Sequence, residues 1–325
     1  MGLFKGLFKA GIVIGGIAAI GYAVERSLVA KLEQNPDEDP YWRPFTPPGE
    51  MVKVPTHDGA TLRAVVAGKG SPIVLVHGLM VSVDAWSPIY EELVAAGHKV
   101  IAYDMRGHGG SGVGDDGWSM EQFGKDLRSV LEHFDLRDAI VVGHSMGGMA
   151  TQMFALEHPD IASERVAGIV LASTTAGGIF DIPQNRAQLA ALKAGFAEWL
   201  IAHDIHGPLL SALNFGRTPR ASHVKGLNAL HGATESETIR NAPLTLEPFD
   251  LRSRLKEFTV PSLVIHGVED KTLLPEGAQE LADGIPGAKL EWLDSVGHMA
   301  HWEDPMAFTD LVLDFAKERQ VASPG

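Results

Sequence analysis

Val141-Val142-Gly143-His144-Ser145-Met146-Gly147-Gly148-Met149-Ala150 reads as an apolar strand that turns at a glycine-flanked serine into a helix. The β-branched run Asp138-Ala139-Ile140-Val141-Val142 leads in, and a helix-compatible stretch over Met146–Glu157 leads out to the stop at His158-Pro159. In a Gly-x-Ser-x-Gly corner of this kind the serine backbone is strained and its hydroxyl projects away from the sheet. Gly143 and Gly147 are expected where a side chain would collide with the neighbouring strand or helix. The helix N-terminus points at the serine, and its free N–H groups favour negative charge developing there. A glycine-rich turn without chemistry is the bland alternative, but it does not account for the strand before and the helix after. Ser145 is therefore the candidate nucleophile.

Strands and helices alternate on either side of that corner. A hairpin is expected from Met51–Pro55 and Thr61–Ala67, turning at His57-Asp58-Gly59-Ala60. Ile73–Val76, His98–Tyr103, Val166–Ala172, Ser262–His266 and Lys289–Leu293 read as strands, and Pro88–Ala96, Met120–Phe134 and Pro305–Arg319 as helices. The fold class is α/β, a mostly parallel sheet flanked by helices. Ligands bind such sheets beyond the carboxyl ends of the strands, where Ser145, His77, Asp104 and Asp270 all fall. Between Ser173 and Arg254 the alternation stops. Gln184–His203 reads as one helix, followed by shorter ones at Pro208–Phe215, Ser222–Leu230 and Glu235–Asn241. A helical cap over 175–250 is expected, inserted between core segments 51–174 and 251–325. Phe180, Leu189, Leu192, Phe196, Trp199, Leu213 and Phe215 either wall a substrate pocket or glue the cap to the core.

The 325 residues are 45% hydrophobic, enough for one large domain with an insertion. A formal charge of −14 argues against nucleic acid as a partner. The absence of cysteine excludes disulfides, thiolate metal sites and a cysteine nucleophile. At the N-terminus, basic and amphipathic Gly2–Lys9 leads into an uncharged run from Ala10 to Val24. That run is shorter than the roughly twenty apolar residues of a spanning helix, and no good cleavage site follows it. Residues 1–31 are accordingly read as a signal-anchor-like or interfacial helix that associates with a membrane, the body being otherwise cytoplasmic. The alternative is a glycine-rich helix packed on the domain. Residues 32–50 are proline-rich and acidic, a linker composition.

A serine hydroxyl needs a base at neutral pH, normally a histidine oriented by a carboxylate. His298, in the loop after the last strand, is the first candidate and His301 the second. His144 adjoins the serine but should point elsewhere. Asp270, directly after a strand, is the candidate acid, with Glu269 as runner-up, while Asp104 is expected to brace the Arg106–Gly110 turn.

From about Val52 to Arg319 the chain resembles the α/β-hydrolase fold family. The resemblance is carried by His77-Gly78-Leu79-Met80, Asp104-Met105-Arg106-Gly107-His108-Gly109-Gly110-Ser111, Gly143-His144-Ser145-Met146-Gly147-Gly148, Gly267-Val268-Glu269-Asp270 and Gly297-His298, all in family order. It implies a triad of Ser145, Asp270 and His298 and an oxyanion hole from the backbone N–H groups of Leu79 and Met146. A serine at position 145 argues against dehalogenases and epoxide hydrolases, which carry aspartate there. The segments around Trp86, Tyr103–Ser111 and Asp135–Gly148 are most similar to bacterial esterases and cofactor-free haloperoxidase-like or perhydrolase members, and the His-Ser-Met-Gly-Gly turn also to monoacylglycerol-lipase-like ones. A serine hydrolase of acyl or lipid esters is expected, with no cofactor or metal. The alternatives are a carbon–carbon hydrolase or perhydrolase using the same triad, and a non-catalytic membrane-tethered binding protein.

Overall fold

The computed structural model describes residues 26–32, 34–40 and 42–321. Residues 26–32 are helical, and the rest of the expected membrane-associating segment lies outside the described residues. Among the described residues no helix is long and apolar enough to cross a membrane.

Eight strands form one sheet among the described residues: β1 (Glu50–Pro55), β2 (Thr61–Ala67), β3 (Pro72–Val76), β4 (Lys99–Tyr103), β5 (Ala139–His144), β6 (Val166–Ala172), β7 (Ser262–Gly267) and β8 (Lys289–Leu293), in the order β1-β2-β4-β3-β5-β6-β7-β8. β2 runs antiparallel to both its neighbours, and every pairing from β4 to β8 is parallel. The central strands are apolar at nearly every position because their alternate side chains go to two buried faces. Val74, Val76, Ile101 and Val141 meet Phe123, Leu127, Met149 and Phe154 from α2 (Met120–His133) and α3 (Met146–Glu157). Ile73, Leu75, Val100 and Ile140 meet Trp86, Leu93 and Phe308, the last two from α1 (Tyr90–Ala95) and α12 (Pro305–Val321).

After α4 (Pro159–Arg165) and β6 the chain is helical: α5 (Pro183–Lys193), α6 (Ala197–Ala202), α7 (His206–Ala212), α8 (Ala221–Gly232) and α9 (Ser236–Asn241) precede β7. The single helix read over Gln184–His203 is two. Gly195, at φ +79°, takes the left-handed conformation that ends a helix, and Phe196 N–H caps back to Ala191 O at 2.9 Å. The remaining helices are α10 (Pro275–Gly284) and α11 (Ala300–Glu303). The acidic segment before β1 is seated on the insertion. Asn35 donates to Pro219 O, the Ser222 N–H and hydroxyl donate to Asp37, and Trp42 packs edge-on against His223 and Trp302.

The loop after β4 is held from inside by one cation. Arg106 is fully buried and donates to both carboxylate oxygens of Asp126 at 2.8 and 2.7 Å and to Asp58 at 2.8 Å. Burial pushes both carboxyls up; for Asp58 the Arg106 hydrogen bonds outweigh it and hold the group below the usual range, whereas Asp126 stays raised. Removing one member of a buried ion-pair network leaves its partners charged without compensation, typically at about 3–5 kcal/mol. Arg106→Ala should therefore lower unfolding free energy by roughly 3–5 kcal/mol in urea denaturation. A loss under about 1 kcal/mol, the size of an exposed pair, would contradict this reading.

Candidate active site

Strand order decides where the site lies. From β3 the chain goes to β4 on one side and then to β5 on the other, so the sheet switches direction at β3. A crevice opens beyond the carboxyl ends of strands at such a point. β3 delivers Gly78 and Leu79 to it, and β5 delivers Ser145.

Ser145 sits at φ +53°, ψ −120°, a conformation disfavoured for any side-chain-bearing residue. The surroundings hold it there. Its N–H donates to Ala172 O at 3.0 Å, and its carbonyl accepts from the Thr174 hydroxyl at 2.8 Å. The two flanking glycines are required by close approach, as expected. A Cβ on Gly147 would lie 2.2 Å from Val76 O, and one on Gly143 would lie 2.7 Å from Gly147 O. Ser145 precedes α3 without capping it through its side chain, which leaves Oγ for another partner.

That partner is His298, whose Nε2 lies 2.9 Å from Ser145 Oγ. Its Nδ1 lies 2.7 Å from Asp270 Oδ2. The other Asp270 oxygen accepts from the N–H groups of Thr272 and Leu273 at 2.8 and 3.0 Å. Burial acts to raise the Asp270 carboxyl, but His298 and these donors outweigh it and hold it below the ordinary carboxylate range. An ionised Asp270 fixes the proton of His298 on Nδ1, so Nε2 is free to accept from the serine.

The runners-up go elsewhere. Glu269 accepts from Arg217 N–H at 2.6 Å, and His301 is buried against the rings of Trp86 and His144. Asp104 braces its turn as expected, accepting from Gly110 N–H at 2.7 Å and from Val83 N–H at 2.8 Å. His144 turns away from the serine and bonds the carbonyl of His298 through Nε2 at 2.9 Å.

The residues the resemblance assigns to the oxyanion hole, Leu79 and Met146, line the same pocket as Ser145. Met146 opens α3, where N–H groups have no acceptor within the helix. Leu79 is shaped by His77. The His77 Nε2 accepts from Met105 N–H at 3.0 Å, so its Nδ1 carries the proton and donates to Gly78 O at 2.7 Å. Burial lowers the His77 pKa to about 4, which keeps the ring neutral and this tautomer in place. From the insertion, the Thr234 hydroxyl grips Met80 O at 3.0 Å.

Over the site lies a cavity of about 220 Å³. Its walls come from the sheet loops and from the insertion, including Leu189, Leu192, Leu200, Leu213 and Leu246. Of the seven residues read as either pocket wall or glue, Phe180, Leu189, Leu192 and Leu213 line it, whereas Phe196 and Trp199 are exposed and Phe215 is buried behind it. No Lys, Arg, Asp or Glu lines it among the described residues. His231, which does, is driven down to about 4 by burial and is neutral at pH 7.

Sequence reasoning missed the residues that carry His298. His298 and Met299 N–H both donate to Asn214 O, at 2.9 and 3.1 Å. Glu303 accepts from Gly297 N–H and Gly216 N–H, each at 2.8 Å. Nothing local marks Asn214 or Glu303; the one signal was glycine at 216 and 297, where the two backbones cross. Among the described residues only His57, Asp58 and Asp116 converge as a possible metal-ligand group, where the β1–β2 turn meets the loop after β4, and Asp58 is committed to Arg106.

The chain is similar to known proteins. A non-heme chloroperoxidase of Kitasatospora aureofaciens is 29% identical over 257 residues, 75% of this chain and 90% of its own. The 2-hydroxy-6-oxononadienedioate/2-hydroxy-6-oxononatrienedioate hydrolase of Cupriavidus pinatubonensis is 29% identical over 261 residues, 75% of this chain and 86% of its own. Among solved structures, an esterase of Exiguobacterium antarcticum shares the fold with a TM-score of 0.73, covering 83% of this chain and 100% of its own at 22% identity. The sequence pattern of the alpha/beta hydrolase fold matches residues 71–305, from the start of β3 through the His298 loop. The chain therefore belongs to the alpha/beta hydrolase fold family of enzymes.

Proposed function

We propose that the chain hydrolyses uncharged carboxylic esters with apolar acyl groups, through an acyl-enzyme on Ser145. The observation that carries this is the Ser145–His298–Asp270 relay opening into a cavity without a charged lining residue. His298 Nε2 takes the hydroxyl proton as Ser145 Oγ attacks the carbonyl carbon, and Asp270 stabilises the imidazolium that forms. The carbonyl oxygen, now an oxyanion, is held by Leu79 and Met146 N–H. As the tetrahedral intermediate collapses, the C–O bond to the alcohol breaks and His298 gives the alcohol its proton. Water, deprotonated by His298, then attacks the acyl-enzyme and releases the acid. The relay needs no metal or organic cofactor for these steps.

A second reading, cleavage of a carbon–carbon bond by the same relay, is favoured by the likeness to the Cupriavidus hydrolase. That protein is named for a dienedioate, and a dianion would find no counter-charge in this cavity. The neutral ester is the better fit. The apolar N-terminal run adds the proposal that substrate is taken from a membrane, tested by whether deleting residues 2–25 releases the chain from vesicles.

In a p-nitrophenyl ester series, kcat/KM is expected to rise roughly fourfold per methylene above acetyl until the cavity is full, given about 0.8 kcal/mol per buried CH₂. An acyl chain ending in a carboxylate should fall at least about tenfold below its neutral counterpart. A flat series, or a preference for the charged chain, would overturn the assignment of substrate class.

A further inference from the structure

The His298 loop rests on the helical insertion as much as on the sheet. Residues 214–217 cross over 295–299 at backbone contact. A Cβ on Gly297 would lie 2.4 Å from the Phe215 carbonyl carbon, and one on Gly216 would lie 2.7 Å from Ser295 O. Four main-chain N–H groups are satisfied across this crossing. Those of His298 and Met299 reach Asn214 O, and those of Gly297 and Gly216 reach the two oxygens of Glu303. Asn214 also ties in the acid, since its Oδ1 accepts from the Thr272 hydroxyl at 3.1 Å while Thr272 N–H donates to Asp270. Glu303 is thus a clamp between the residue preceding the candidate base and the insertion loop that carries it.

We propose that Glu303 is a positioning residue for His298, holding Nε2 in line with Ser145 by bridging Gly297 and Gly216. This rests on the serine-relay reading above. Only an ionised carboxylate offers acceptors on both oxygens without a proton between them. Burial outweighs the two N–H donors and leaves the Glu303 carboxyl raised to about 7, so the doubly accepting anion prevails above that pH. A glutamine in its place has one oxygen and would turn its NH₂ toward the other N–H. An aspartate keeps both acceptors but falls one methylene short.

Misplacement of a reacting group by about 1 Å costs on the order of 10²-fold in rate, so Glu303→Gln should lower kcat about 10- to 100-fold with KM within about twofold. Glu303→Asp should recover part of that loss, and it serves as the deciding variant where Glu303→Gln does not fold. Thr238→Val is the structural control. The Thr238 hydroxyl donates to Gly107 O, another buried tie between insertion and core, without touching the His298 loop. It should cost thermal stability and leave kcat within about twofold. A Glu303→Gln enzyme with wild-type kcat overturns the proposal. So does a Thr238→Val enzyme that loses as much kcat as Glu303→Gln, or, where that variant cannot be folded, Glu303→Asp with wild-type kcat. Ser145→Ala assayed alongside separates the two levels: if it retains turnover, the serine relay itself fails, whatever Glu303 does.

Discussion

Ser145→Ala is expected to lower kcat on the best ester by roughly 10⁴- to 10⁶-fold while leaving the fold intact. The size follows from losing the covalent intermediate altogether. What remains is the rate from binding and oxyanion stabilisation, roughly 10³- to 10⁴-fold above water. The fold should survive because Ser145 is anchored by its backbone, to Ala172 O and to the Thr174 hydroxyl, and alanine keeps both bonds. Its hydroxyl bonds the candidate base rather than capping α3. Steady-state kinetics with a thermal melt checks both halves of the expectation. A variant that melts like the parent and keeps a tenth of its kcat would contradict the nucleophile assignment.

Asp270→Asn should lower kcat by about 10⁴-fold, through the tautomer rather than through any movement. One Asp270 oxygen is committed to the N–H groups of Thr272 and Leu273 and must remain an acceptor. The asparagine oxygen therefore occupies that place, and its NH₂ faces His298 Nδ1. The ring answers by accepting at Nδ1 and carrying its proton on Nε2, where it can no longer take one from Ser145. KM should change little. A companion Glu269→Gln variant should keep most of the activity, because Glu269 bonds Arg217 and not the relay. Equal losses in the two would mean that the carboxylate matters by its field and not by its bond.

The site's skeleton was readable because its residues follow strands. An apolar strand ending at Ser145, another ending before Asp270 and a last one before His298 place all three at one sheet edge, whatever the intervening chain does. The sequence ranks Asp270 above Glu269 as the candidate acid, but spacing alone does not give the direction in which neighbours leave a strand end. In the structure Asp270 takes the N–H groups of Thr272 and Leu273 and bonds His298, while Glu269 bonds Arg217. His301 was excluded by burial behind His144 and Trp86, which no local pattern announces. The insertion was legible as helical but not in its breaks. Gly195 lies inside an otherwise continuous helical pattern and ends the helix by adopting positive φ. Least legible were Asn214 and Glu303, whose hydrogen bonds join segments as much as 87 residues apart; only tertiary structure brings such partners together.

A covalent intermediate on Ser145 can be trapped with an alkyl fluorophosphonate and read by intact-mass and peptide mass spectrometry after brief reaction. One adduct is expected, on the peptide containing Ser145, absent from Ser145→Ala and slowed in Asp270→Asn. An ester-hydrolysing enzyme that takes up no adduct, or takes it up on another residue, would contradict the covalent mechanism.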